Sequence, residues 1–71
     1  MTFEELLTEA CNFAGLPNMA LLLLPSALSE STKKNVMKLS PEELGKALKA
    51  ATDEIDHGSI ESVDSLVRKL I

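Results

Sequence analysis

The stretch from Thr2 to Gly15, TFEELLTEACNFAG, decides the class of fold. Thr2 is a good helix cap, and Glu5 follows it at the three-residue spacing of a capping box. Gly15 offers the left-handed conformation in which many helices end. Between these signals the apolar residues recur at the i, i+3, i+4, i+7 spacing of one helix face. They are Phe3, Leu6, Leu7, Ala10, Phe13 and Ala14. The sequence therefore predicts a helix over residues 3–14.

The second half of the chain carries two more helix patterns. Ser40, Pro41 and two glutamates form a strong helix start, because proline suits the first turn and acids favour the positive end of the helix dipole. A helix is predicted from Pro41 to His57, with Gly58 as its stop. Its buried stripe is expected to comprise Leu44, Ala47, Leu48, Ala51 and Ile55. A last helix, capped by Ser62 or Ser59, is expected to bury Val63, Leu66, Val67 and Leu70.

Residues 16–39 are less regular. An apolar run from Met19 to Leu24 lies between Pro17 and Pro25, and proline disfavours helix in the residue before it. A short helix ending at or before Leu24 is therefore expected. A third helix is predicted over residues 29–39, capped by Ser29 or Ser26, with Leu28, Thr32, Val36 and Leu39 on one face. Together these patterns predict an all-α fold, a compact irregular bundle of four to five short helices forming a single domain over residues 1–71.

Composition narrows the classes of function. Of the 71 residues, 45% are apolar. The chain has a net charge of −4, and this negative charge disfavours binding to nucleic acid or anionic lipid through bulk charge. The single cysteine, Cys11, has no partner for an internal disulfide, which suits a reducing compartment. Glu4 and Glu5 stand where a secretion signal would carry positive charge. The apolar run of residues 19–24 is far shorter than a bilayer span. These observations predict a cytoplasmic protein with no membrane partner.

No pattern of catalytic residues is present in the sequence. The chain has one cysteine and one histidine, Cys11 and His57, on separate predicted helices. It has no glycine-rich phosphate loop and no HExxH or GxSxG motif. The sequence therefore predicts a protein that is not an enzyme and that holds no cofactor or metal.

Residues 53–64 resemble the calcium loop of EF-hand and dockerin proteins. Asp53 takes the first position, Gly58 the sixth, Glu61 the ninth and Asp64 the twelfth, while Ile60 takes the eighth. The resemblance implies a divalent-ion loop with Asp53, Glu61 and Asp64 as ligands. The third and fifth positions, where an EF-hand supplies oxygen ligands, hold Ile55 and His57. A degenerate EF-hand-like divalent-ion loop over residues 53–64 is thus the third and last of three functional hypotheses, of which the other two are given below.

The second alternative is a small DNA-associated transcriptional regulator that uses the last two helices as a helix-turn-helix. The front half of its reading helix would carry Glu61 and Asp64, which repel phosphates. Arg68 and Lys69 lie too late in the last helix to offset these acids. A second basic group in the third segment is another candidate for phosphate contacts, although such a group is more often a solvated helix face. It consists of Lys33, Lys34 and Lys38. Nucleic acid is accordingly an unfavoured partner.

The favoured hypothesis rests on surplus apolar surface. A short helix that is apolar on every side cannot hide all of its faces in so small a bundle. Such a helix either runs through the core or exposes one side to a partner, and the sequence leaves both readings open. The favoured function is a non-enzymatic protein-interaction module, an adaptor or regulator that binds another protein or a second copy of itself. The candidate interaction residues are Met19, Leu21, Leu22, Leu23 and Leu24.

Overall fold

The computed structural model describes residues 2–71, and within them every side chain except those of residues 18–21. All of its regular structure is helical, which confirms the predicted all-α class. Five helices follow one another along the chain. They are α1 (Phe3–Ala14), α2 (Asn18–Ala27), α3 (Glu30–Val36), α4 (Pro41–Asp56) and α5 (Val63–Leu70).

The predicted helix caps are present in the structure. Thr2 and Glu5 form a capping box before α1, and Ser40 and Glu43 form a second one before α4. Gly15 ends α1 with a φ of 69°. Such caps satisfy amide groups that have no partner inside the helix, which is why helix starts follow so closely from local sequence.

The core lies where α1 and α4 pack together, with α2, α3 and α5 completing its surface. It is aliphatic, as the composition predicts, apart from Cys11 and the buried Thr32, whose hydroxyl lies 3.0 Å from the Ser29 hydroxyl. The close approach of α1 and α4 depends on Gly45, since a Cβ there would lie 2.8 Å from the Ala10 carbonyl oxygen. The buried apolar residues are Leu6, Leu7, Ala10, Cys11, Leu24, Leu28, Val36, Leu44, Ala47, Leu48, Ala51, Leu66 and Val67.

The predicted end of α2 at Leu24 is wrong. The helix passes through Pro25 and continues to Ala27. Leu24 and Leu28 are both buried, and the Leu28 amide donates to the Leu24 carbonyl over 3.1 Å. Burial of this pair one turn apart offsets the local cost of a proline within the helix.

Two further boundaries differ from the predictions. The third helix ends at Val36, and residues 37–39 form a turn in which Leu39 still reaches the core. Ile55, predicted to be buried, is 39% exposed. The reason is length: α4 has 16 residues and α1 only 12, so the last turn of α4 extends beyond the helix against which it packs. Leu70, in the last turn of α5, is exposed in the same way.

Candidate interaction surfaces

The leucine run of α2 is divided between the core and the surface. Leu22 is 78% exposed and Leu23 is 63% exposed, whereas Leu24 is only 8% exposed. Of the candidate interaction residues, Leu24 therefore belongs to the core. The side chains of Met19 and Leu21 lie outside the described residues. Two adjacent leucines thus remain as the described part of the candidate surface.

Helical geometry explains this division. Successive residues of an α-helix are rotated by about 100°, so four consecutive leucines point in four directions. The buried stripe of α2 contains Leu24 and Leu28, which are one turn apart. Leu22 and Leu23 are rotated away from that stripe. Because α2 packs on α1 and α5 through one side, the other side remains in contact with water.

The exposed side of α2 continues one turn beyond the leucines. Ser26 and Ala27 follow Leu22 and Leu23 by four residues, and both are exposed. We call these four residues the α2 face. Small side chains next to leucines leave a shallow surface that another helix can approach closely. Residues 16–28 contain no charged residue, so the α2 face offers apolar and hydroxyl contacts but no charge.

A second exposed apolar residue lies at the end of α1. Phe13, predicted to belong to the buried stripe, is 64% exposed. The backbone of α1 lies very close to Gly45. A Cβ atom placed on Gly45 would be 3.3 Å from the Phe13 Cβ, so the Phe13 ring has no room between the two helices. It borders a hollow of about 300 Å³ together with Lys46, Lys49 and Glu42. Gly45, directly after Leu44 of the predicted stripe of α4, is the sequence signal that could have indicated this close approach.

Two acidic residues of the EF-hand-like loop, Glu61 and Asp64, have other partners. The Oε1 atom of Glu61 accepts a hydrogen bond from Lys69 Nζ at 2.6 Å. The Oδ1 atom of Asp64 accepts a hydrogen bond from the Ser29 amide nitrogen at 2.9 Å, and this bond links the start of α5 to the start of α3. Within residues 2–71, no three aspartate, glutamate, histidine or cysteine residues are grouped so as to hold a metal ion. The structure therefore does not bring Asp53, Glu61 and Asp64 together as a ligand set.

Asp64 has a structural role in the ionised form. Hydrogen bonds from the Thr32 side chain and from the Ser29 amide hold the pKa of its carboxyl below the usual value, and Arg68 adds a weaker attraction. The carboxylate also lies at the first turn of its own helix, where negative charge is favourable. Ionised Asp64 therefore holds α3 and α5 together.

The last two helices are arranged unlike the proposed DNA reader. Residues 57–62 connect α4 to α5, a longer link than the three or four residues of a helix-turn-helix. The first turn of α5 is engaged with α3 through Asp64. In the other basic group, Lys33 lies 3.6 Å from Glu30 and stacks over the Phe3 ring. Lys34 and Lys38 are exposed.

The single cysteine lies within α1, and the single histidine caps the end of α4. Cys11 lies in the core, and desolvation raises the pKa of its thiol, which disfavours the reactive thiolate. His57 is exposed at the end of α4, where its Nδ1 atom lies 2.6 Å from the Asp53 carbonyl oxygen. His57 borders an open hollow of about 560 Å³ with Asp53, Glu54 and Ser59.

Comparison with known proteins gave no significant match to any family model, curated protein or solved structure. Among the described residues, no helix combines the length and the apolar character needed to cross a membrane.

Proposed function

We propose that this chain is a non-enzymatic protein-interaction module, an adaptor or regulator, that binds an apolar helix of another protein through the α2 face. The observation that carries the proposal is the exposure of Leu22 and Leu23, at 78% and 63%, in a helix without charges. Adjacent exposed leucines are costly to keep in water, and contiguous apolar patches are typical of interaction sites. The reducing cytoplasm, which suits the single thiol, is the compartment we propose.

The size of the patch favours another protein over a second copy. Complete burial of a leucine is worth about 1.5–3 kcal/mol, so covering what remains exposed of Leu22 and Leu23 contributes about 2–4 kcal/mol. A symmetric dimer through two such faces would gain about 4–8 kcal/mol, which only offsets the association cost of about 4–15 kcal/mol. A partner that binds stably must therefore add contacts of its own. Self-association through this face is expected only at high concentration.

The proposal is tested by comparing two double variants in quantitative affinity capture from lysate. Leu22→Ala with Leu23→Ala removes the leucine side chains of the α2 face. Ile55→Ala with Ile60→Ala removes comparable exposed apolar groups from the end of α4 and the loop after it. We expect a specific protein that the unchanged chain and the Ile55/Ile60 variant both capture and the Leu22/Leu23 variant loses. Circular dichroism establishes that both variants remain helical.

The captured protein is then purified and titrated into the isotopically labelled chain. The amide signals of Leu22, Leu23 and Ala27 are expected to move, and affinity is expected to fall about 30-fold in the Leu22/Leu23 variant, for a loss of about 2 kcal/mol. Sedimentation velocity over a concentration series measures self-association separately. Capture that is unchanged by the loss of both leucines would contradict the proposal, as would a stable dimer at micromolar concentration.

A further inference from the structure

The ends of α3 and α5 meet at a hollow of about 440 Å³, which we call the α3–α5 cleft. It brings together one lysine from the turn after α3 and one arginine from the last turn of α5, residues that are far apart in the sequence. Its lining is formed by Asn35, Lys38, Leu39, Arg68 and Ile71.

The two cations of the α3–α5 cleft are largely available. Among the described side chains Lys38 takes part in no ion pair. Arg68 is exposed, and its Nη1 atom is 4.0 Å from Asp64, the outer limit of an ion pair. Lys69, one position further, is instead engaged with Glu61 at 2.6 Å. Positive charge is thus concentrated at this cleft in a chain whose net charge is −4.

The ends of both helices place backbone carbonyls near the cleft, and some of these carbonyls are used internally. In the turn after α3, the amides of Met37, Lys38 and Leu39 donate to carbonyls of the last turn of α3. At the end of α5, the Ile71 amide donates to the Val67 carbonyl over 3.1 Å. The two whole side-chain charges exceed the partial negative charge of about half a unit at each helix end, so the cleft keeps a positive character.

The floor of the α3–α5 cleft is aliphatic. Leu39 is half-buried against the core, and Ile71 is partly exposed. Met37 and Leu70, the chain neighbours of lining residues, are also partly exposed. An occupant can therefore bury apolar groups on this floor while its negative charges meet Lys38 and Arg68 at the rim.

We propose that the α3–α5 cleft binds an acidic, aliphatic segment of a partner protein, in which carboxylates flank a leucine or isoleucine. Charge complementarity favours this occupant, because two cations border an apolar floor. A nucleic-acid site would instead need a track of several cations along a phosphate backbone. The site is separate from the uncharged α2 face and does not depend on the function proposed above.

The probe for this site is a short synthetic helical peptide, capped at both ends, with leucine and glutamate on the same face. Titrated into the isotopically labelled chain, it is expected to shift the amide signals of Lys38, Leu39, Arg68 and Ile71. Replacing the peptide's glutamates by glutamine, or its leucines by serine, is expected to weaken binding about tenfold, because each change removes one of the two contacts.

Charge reversal in the chain supplies the matched control. Lys38→Glu with Arg68→Glu is expected to weaken peptide binding at least tenfold, because attraction becomes repulsion. Lys46→Glu with Lys49→Glu makes the same change of net charge beside Phe13 and is expected to leave affinity within about twofold. Both variants are checked for unchanged helicity.

Four outcomes would overturn the proposal. The first is amide shifts that lie beside Phe13 or on α2, and the second is no binding at millimolar peptide. The third is a duplex DNA oligonucleotide that displaces the peptide from the same residues at physiological salt. The fourth is concentration-dependent self-association abolished by Lys38→Glu with Arg68→Glu, which would make a second copy the occupant.

Discussion

Gly45→Ala is expected to destabilise the protein although alanine is the better helix former. Alanine gains about 1 kcal/mol over glycine in a free helix. Here its Cβ would lie 2.8 Å from the Ala10 carbonyl oxygen and 3.3 Å from the Phe13 Cβ. The oxygen belongs to the backbone of α1, so it cannot rotate away as a side chain would.

The expected magnitude follows from that geometry. The two helices must separate by about 0.5 Å to restore ordinary contact, and overpacking of this kind costs typically about 1–3 kcal/mol, with more expected where rigid backbone has to move. Among the described residues α1 and α4 share the most extensive contact, so the other contacts of this interface loosen as well. We therefore expect a net loss of about 1–2 kcal/mol, from a total stability of about 4–10 kcal/mol for a chain of this length.

The measurement is urea unfolding followed by far-ultraviolet circular dichroism, with thermal unfolding in parallel. Gly45→Ala is expected to lower Tm by about 4–16 °C, and Gly45→Val by more, because a branched side chain needs still more space. Lys46→Ala, at the adjacent exposed position, serves as the control and is expected to change stability by less than 0.5 kcal/mol, about the limit for surface substitutions. A gain of about 1 kcal/mol in Gly45→Ala would refute the reasoning, since alanine would then behave as on a free helix surface.

Three further perturbations test the packing and the caps. Leu48→Ala, at a fully buried position of α4, is expected to cost about 2–5 kcal/mol in urea unfolding, a large part of the total stability. A cost below about 1 kcal/mol would contradict its placement in the core. Ser40→Ala removes the hydroxyl that accepts a hydrogen bond from the Glu43 amide, and it is expected to lower the free energy of unfolding by about 1 kcal/mol. The control Ser26→Ala, in the exposed last turn of α2, should have little effect on the urea midpoint. Asp64→Asn tests pH dependence. Because the pKa of Asp64 is lower in the folded chain than in the unfolded chain, the ionised carboxylate stabilises the fold. This stabilisation is complete above the pKa of the unfolded chain and is lost as the pH falls through the lowered native pKa. The urea midpoint of the unchanged protein should therefore exceed that of Asp64→Asn at neutral pH and approach it below about pH 4, and a difference that persists undiminished at low pH would exclude this role of the carboxylate.

Most of the helix starts were determined by local sequence. The capping boxes of α1 and α4 each satisfy amides within four residues of their own position, so no distant contact is needed to specify them. The buried stripes of α1, α4 and α5 are also largely predictable from local sequence, because they follow the periodicity of the helix. Leu6, Leu48 and Val67 were predicted to be buried, and they are.

The tertiary structure alone decided which parts of the apolar surface remain exposed. Pro25 stays within α2 because Leu24 and Leu28 gain burial against other helices, an energy that local sequence does not contain. Phe13 faces outward because Gly45 brings two backbones together.

The candidate surfaces depend on the same long-range packing. The sequence predicted that the leucines of α2 were in excess, but only the rotation of that helix against α1 and α5 separates Leu22 and Leu23 from Leu24. Lys38 and Arg68 share a cleft only because α3 packs on α5. Local sequence determines where a helix begins and which of its faces is apolar. The relative placement of the helices is a property of the whole packed chain. That placement decides which side chains stay exposed and which distant charges come together.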